Sequence, residues 1–312
     1  MPATPPPTPP VNAAGEEAFL AWVRQRQLAR PRPRHLLETA GDDLALLEWQ
    51  GGLVLVGMDP VLDGVHVDLP RHGPTAAGRK AMNRNLSDVA AMVGEPVAAT
   101  LSIVAPRSMP LEAVQAVYLG AEEAGESAGC PIAGGDFASW DGRLVVTVGI
   151  LGRVDRAVLR GGARVGDRIF VSGPLGGSIL GRHLTFAPRL DLGRQLGELG
   201  ATAMLDISDG LSRDLPRLIR PVIGATVDAE AVPIHADAAA LAQQTGRDPL
   251  WHALHDGEDY ELLFTAAMVS VPGCIAIGHV EAEPGVRIRR AGRVEPLAAL
   301  GWEHALGASE AP

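Results

Sequence analysis

Apolar residues recur with two periods along this chain, and each change of period marks a new element. Before residue 40 the spacing is helical. Phe19, Val23 and Gln27 follow an acidic first turn at Glu16, and the PRPRH run at 31–35 ends the segment. Segments 44–48 and 53–57 read as two strands joined at Gly51-Gly52. Pro74 and Thr75 open a helix whose apolar stripe is Met82, Leu86, Val89, Ala90 and Val93. Segment 98–104 reads as a strand. Pro110 starts a second helix, with Leu111, Val114, Tyr118 and Ala121 on one face, and 144–151 is a β-branched run suited to a buried strand. The pattern then restarts with a strand at 168–172, a glycine-rich turn at 173–181 and a helix carrying Leu211, Leu215 and Leu218. Further strands follow at 261–265 and 275–277. A boundary near 153–160 divides the chain into an N-terminal domain, 16–155, and a C-terminal α/β domain, 156–312. Residues 1–15 form a Pro-rich tail expected to be disordered. No repeat of solenoid length occurs.

Composition narrows the chemistry. The net charge is -10, and no basic stripe is available to release counterions from a nucleic acid, so nucleic-acid binding is not expected. No apolar run approaches the roughly 20 residues of a membrane span, and the N-terminus lacks the pattern of a secretory signal. Two cysteines, Cys130 and Cys274, cannot build a disulfide scaffold or a zinc ribbon. Cys130 reads as a core filler. Lys80 is the only lysine, so lysine chemistry would have to use it. The expectation is a soluble cytoplasmic α/β protein.

The motifs GxxxxGK[ST], HExxH and GxSxG are absent. Short acidic motifs stand out instead, at junctions that read as loops. They are GDD at 41–43, MDPVLDGVH at 58–66, NLSD at 85–88, GGD at 134–136, DISDG at 206–210 and DGEDYE at 256–261. An isolated Asp-Gly is ordinarily a turn, and Asp before a helix an N-cap. Many carboxylates converging from separate segments would repel one another unless a cation neutralised them. Mg²⁺ takes oxygen ligands and commonly bridges to phosphate, so a Mg²⁺–nucleotide site is the physical reading.

In their order, these motifs resemble thiamine-monophosphate kinases, in the superfamily of aminoimidazole ribonucleotide synthetase and selenophosphate synthetase. NLSDVAAM at 85–92, DISDGLSRDL at 206–215 and GEDYELLF at 257–264 carry the resemblance, which runs from about Gly41 to Trp302. It implies an α/β (α+β) fold in two domains, with N-terminal strands forming a dimeric barrel-like core. It also implies a homodimer, ATP as co-substrate, several Mg²⁺ ions and thiamine monophosphate as acceptor. Carried over by position, Asp43, Met58, Asp59, Asp88, Asp136, Asp206 and Asp209 match metal-binding positions. Gly135, Asp136, Arg160 and Ser208 match nucleotide-binding positions. His66, Glu258 and Trp302 match acceptor-binding positions. Gly57-Met58 stand where the family usually has Ser-Thr, which leaves backbone carbonyls in place of two hydroxyls. Two other readings stay open on the residues alone: another ATP-dependent synthetase of the superfamily, or a degenerate nucleotide-binding paralogue.

Overall fold

The computed structural model describes residues 16–29, 31–39 and 41–304. The Pro-rich tail lies outside the described residues. Helix α1 (Glu16–Leu28) leads into β1 (Leu36–Glu38), β2 (Ala45–Trp49) and β3 (Gly52–Leu62). The short helix α2 (Leu69–His72) and the longer α3 (Pro74–Ala91) precede β4 (Glu95–Pro106). Helix α4 (Leu111–Ser127), β5 (Ile132–Trp140) and β6 (Val145–Val154) complete the first half. These strands form one sheet in the order β1-β2-β3-β6-β4-β5. Both β3 and β4 run antiparallel to β6, and β5 runs parallel to β4. Helices α3 and α4 are therefore crossovers between parallel strands, the connection such strands require.

Alternation in the strands decides which face those helices cover. Leu55 and Val61 of β3, Val146, Val148 and Ile150 of β6, and Leu101 and Ile103 of β4 point inward. They pack with Met82, Leu86 and Val89 of α3 and Val117 and Ala121 of α4, and this core also encloses Cys130. Burial pushes the Cys130 thiol up to about 11, so it behaves as a small apolar group. The expected apolar stripe of α3 is the core stripe. The opposite face of the sheet is left open: Val56, Met58 and Leu151 are exposed there, as is Trp140 on the edge strand β5.

The second sheet gathers β7 (Arg168–Val171), β8 (Ala203–Asp206), β9 (Gly224–Asp228), β10 (Leu262–Ala266), β11 (Ile275–Glu281), β12 (Gly285–Arg290) and β13 (Arg293–Pro296). Their order is β13-β12-β9-β11-β7-β10-β8, and the β9–β12 pair is parallel. Every residue of β10 is buried, because both faces of the sheet are covered. On one face Leu263 and Ile169 meet Leu211 and Leu215 of α6 (Leu211–Leu218) and Leu254 of α8 (Pro249–His255). On the other, Phe170 and Phe264 stack at 5.1 Å beside Leu196 of α5 (Leu190–Glu198) and Ala90 and Ala91 of α3. Helix α7 (Ala236–Thr245) packs against α8. The C-terminal end of α3 is thus clamped between the two sheets, and that clamp sets the polar residues just before it against the end of β8.

Two expectations about the acidic motifs need correction. GGD at 134–136 lies inside β5, and Met58–Leu62 lies inside β3, rather than in loops. Glycine and aspartate are poor strand formers in isolation, but a parallel neighbour in register overrides that preference: Gly135 sits opposite Leu101 and Asp136 opposite Ser102.

Candidate active site

Three carboxylates meet where α3 reaches β8. One oxygen each from Asp43, Asp88 and Asp206 lies within 4.8 Å of the others. Asp206 ends β8, is buried, and accepts a 2.5 Å hydrogen bond from the Ser87 hydroxyl of α3. Asp43 pairs with the Arg160 guanidinium, while the Arg160 backbone N–H donates to Asp42 Oδ2 at 2.8 Å. Burial and then the neighbouring Asp59, Asp206 and Asp43 charges push Asp88 well above the usual carboxylate range. Burial and then Asp43 push Asp206 up to about 7. Asp43 Oδ2 is enclosed with no hydrogen-bond partner. An all-oxygen donor set, crowded with like charge and carrying an orphaned acceptor, fits a hard divalent cation such as Mg²⁺.

The loop after β8 links this cluster to a pocket. Asp214 of α6 is buried and accepts the N–H groups of Ser208 (3.1 Å) and Asp209 (3.0 Å), which fixes the DISDG turn. Asp209 also pairs with Arg217 at 2.6 Å. The DGEDYE loop abuts this turn: Gly257 has φ +76, and a Cβ there would stand 2.6 Å from the Ser208 carbonyl. Glu258 and Tyr260 have φ +54 and +52, costly for side-chain-bearing residues. Their N–H groups are pinned to Ser208 O at 2.7 Å and Ile207 O at 2.9 Å, which holds the strained backbone.

His66, Arg84, Ser208, Asp209, Glu258, Tyr260 and Trp302 line a cavity of about 230 Å³. The three residues expected to bind the acceptor, His66, Glu258 and Trp302, are therefore brought together. Trp302 is half exposed, and its backbone N–H donates to the Asp209 carbonyl oxygen at 2.8 Å. His66 is buried and accepts the Leu62 N–H at Nδ1 (3.1 Å); burial and then Arg84 push its pKa down to about 3, so the ring is neutral. Burial opposes the Glu258 charge, but hydrogen bonding to His183 and the Lys80 ammonium outweigh it and hold the carboxyl at about 2. Glu258 is an anion at neutral pH.

Not every expected site residue joins. Asp59 pairs with Arg84 at 2.9 Å and flanks the cluster. The Met58 side chain is 70% exposed and points to the open face, so only its backbone is left for a metal. Gly135 and Asp136 are exposed on β5, and Asp136 shares the open-face row Pro60–Thr147–Ser102–Asp136. Within one chain they do not reach the Asp43–Asp88–Asp206 cluster. Sequence reasoning also missed contributors. Arg84 and Lys80 stand four and eight residues before the expected Asp88 on α3, and that polar stripe at i, i+4 was a readable signal. His183, Tyr260 and Asp214 gave none, because only the tertiary fold aims them here.

Comparison with known proteins fits this geometry. Residues 41–154 match the family model described as AIR synthase related protein, N-terminal domain. The thiamine-monophosphate kinase of Rhodopirellula baltica is 38% identical over 262 residues, covering 81% of this chain and 82% of that protein. The Aquifex aeolicus one is 33% identical over 288 residues, covering 85% and 92%. The chain belongs to the thiamine-monophosphate kinase family. A solved member of that family, described as AaThiL complexed with AMPPCP and TMP, superposes with a TM-score of 0.83 at 30% identity, covering 93% of this chain and 97% of that one. The two-sheet α/β architecture is thus the thiamine-monophosphate kinase fold, and the chain is a kinase whose acceptor group is a phosphate. Among the described residues no helix is long and apolar enough to cross a membrane.

Proposed function

We infer that this chain transfers the terminal phosphoryl group of ATP directly to the phosphate of thiamine monophosphate, giving thiamine diphosphate. The observation that carries the reading is that one loop serves both halves of the reaction. Asp206 belongs to the carboxylate cluster, and Ser208 and Asp209, two and three residues on, line the pocket. A relative's structure holding AMPPCP and TMP together supports the same pair of substrates. The acceptor oxygen belongs to a phosphate with a second pKa near 6, largely ionised at neutral pH, so no strong general base is needed. What remains is alignment and charge neutralisation. Asp43, Asp88 and Asp206, with Asp59 and Asp209 beside them, would hold Mg²⁺, which neutralises phosphate charge when bound. Arg160 adds positive charge on the nucleotide side and Arg84 on the acceptor side. Ionised Glu258 suits the cationic end of the acceptor, and the half-exposed Trp302 ring offers a face for cation–π contact.

Glu258→Gln or Trp302→Ala is expected to raise KM for thiamine monophosphate roughly tenfold or more, with KM for ATP little changed. Separate KM measurements check this. Equal effects on both would move the acceptor pocket elsewhere.

The working unit is proposed to be a cytoplasmic homodimer, the compartment following from the need for ATP. The open face with Val56, Met58 and Leu151, and the exposed edge strand β5, are surfaces a monomer would not leave in water. An isologous pairing of these strands into a barrel-like core would cover them. It is also the route by which Gly135 and Asp136 would meet a nucleotide, in the site of a second copy. Two domains, 16–155 and 156–312, fit the break between β6 and β7. Sedimentation at low micromolar concentration is expected to give a species of twice 32.6 kDa; a single species at the monomer mass would refute the pairing.

A further inference from the structure

Lys80 is the only lysine of the chain; every other cationic residue that is always charged is an arginine. Its side chain is fully enclosed on α3. The ammonium lies 2.5 Å from Glu258 Oε1, 2.6 Å from the His66 carbonyl oxygen and 2.6 Å from His183 Nδ1. An ammonium has three protons and no lone pair, so it can only donate, and Glu258 and the His66 carbonyl accept two of its protons. His183 Nδ1 stands at the third position and also lies 3.2 Å from Glu258 Oε2, so the imidazole touches both members of the ion pair. A guanidinium spreads its five N–H groups over three nitrogens in one plane and cannot gather three groups around a single nitrogen. That is a physical reason for lysine at this one position.

Two of the three partners, Glu258 and His66, line the acceptor pocket, while Lys80 does not. Glu258 sits on strained backbone at φ +54, and its peptide is held by Ser208 O and by the Ser178 hydroxyl, which donates to Glu258 O at 2.6 Å. Those bonds fix the backbone; the carboxylate itself is held by Lys80 at Oε1, 2.5 Å away, and by His183 Nδ1 at Oε2, 3.2 Å away. We propose that Lys80 is a positioning residue for the acceptor: it fixes the Glu258 carboxylate in the arrangement that grips thiamine monophosphate, without touching that substrate. The inference rests on the acceptor assignment made above. A lysine that merely filled the core would instead support the whole fold, and both substrates would feel its loss.

The test compares wild type, Lys80→Met, Lys80→Arg, Glu258→Gln and the Lys80→Met/Glu258→Gln double variant, with kcat and both KM values measured for each. Lys80→Met is expected to raise KM for thiamine monophosphate roughly tenfold or more, because a buried carboxylate loses its counter-charge, with KM for ATP within about twofold of wild type. Lys80→Arg is expected not to restore it. The double variant removes both charges and escapes the unpaired buried carboxylate. If Lys80 acts through Glu258, adding Lys80→Met to Glu258→Gln changes KM for thiamine monophosphate by less than about twofold. That comparison stands even if Lys80→Met alone does not fold. Additive effects, or equal changes in both KM values, would overturn the inference while leaving the reaction intact. Wild type without turnover of thiamine monophosphate would remove the acceptor assignment and this inference with it.

Discussion

Asp88→Asn is expected to fold at least as well as the parent and to lose turnover by a factor on the order of 10³. The two halves of that result have one cause. Asp88 is held close to Asp43 and Asp206, one oxygen of each within 4.8 Å. Burial and like charge push its carboxyl well above the ordinary range, so the ionised form is costly to the fold. An amide of the same shape removes that cost and leaves the Met82–Leu86–Val89 stripe of α3 untouched. It also removes a charged oxygen ligand from the only three-carboxylate cluster found among the described residues. Circular dichroism and a thermal melt check the fold, and kcat at saturating Mg²⁺ checks the chemistry. Wild-type kcat would remove Asp88 from the site.

Removal of divalent cations is expected to abolish turnover, with Mg²⁺ restoring it, and to change how stability depends on pH. The Asp206 carboxyl stands at about 7 in the folded chain against 3.8 in a free residue, and Asp43 and Asp88 are raised too. Raised carboxyls bind more protons folded than unfolded. Their contribution is therefore fully present below the unfolded pKa and lost as pH rises through the folded one. The metal-free protein should thus show a Tm that falls between about pH 5 and pH 8. Mg²⁺ binds the ionised form and should oppose the fall. Melts at several pH values, with chelator and with Mg²⁺, measure both effects. A metal-free Tm that rises over this window, or is unmoved by Mg²⁺, would count against cation binding at the cluster.

The legible part of this protein is the part whose pattern is local. The stripe Met82, Leu86, Val89 and Ala90 marks α3 because a helix repeats every three to four residues, and those residues are its buried face. The β-branched run of β6 reads as a buried strand for the same kind of reason. The GGD strand β5 did not read as a strand, because two glycines and an aspartate signal a turn unless a neighbouring strand supplies the ladder. Elements α7, α8, β8, β9, β12 and β13 were not read from the sequence, and neither was α5, although Leu192 and Leu196 recur there at helical spacing. In the site, Asp43, Asp88 and Asp206 were found as motif members, but their meeting depends on α3 being clamped between two sheets. That is a long-range fact which no window of sequence contains. Lys80 was visible only by its rarity, and its three partners come from segments up to 178 residues away.

The reaction itself is the measurement that decides whether the chain phosphorylates thiamine monophosphate. Purified full-length chain is incubated with ATP labelled in its terminal phosphoryl group, thiamine monophosphate and Mg²⁺, and the products are separated. Label is expected in thiamine diphosphate, formed mole for mole with ADP. ATP cleaved without labelled thiamine diphosphate, or no turnover under saturating substrates and metal, would contradict it.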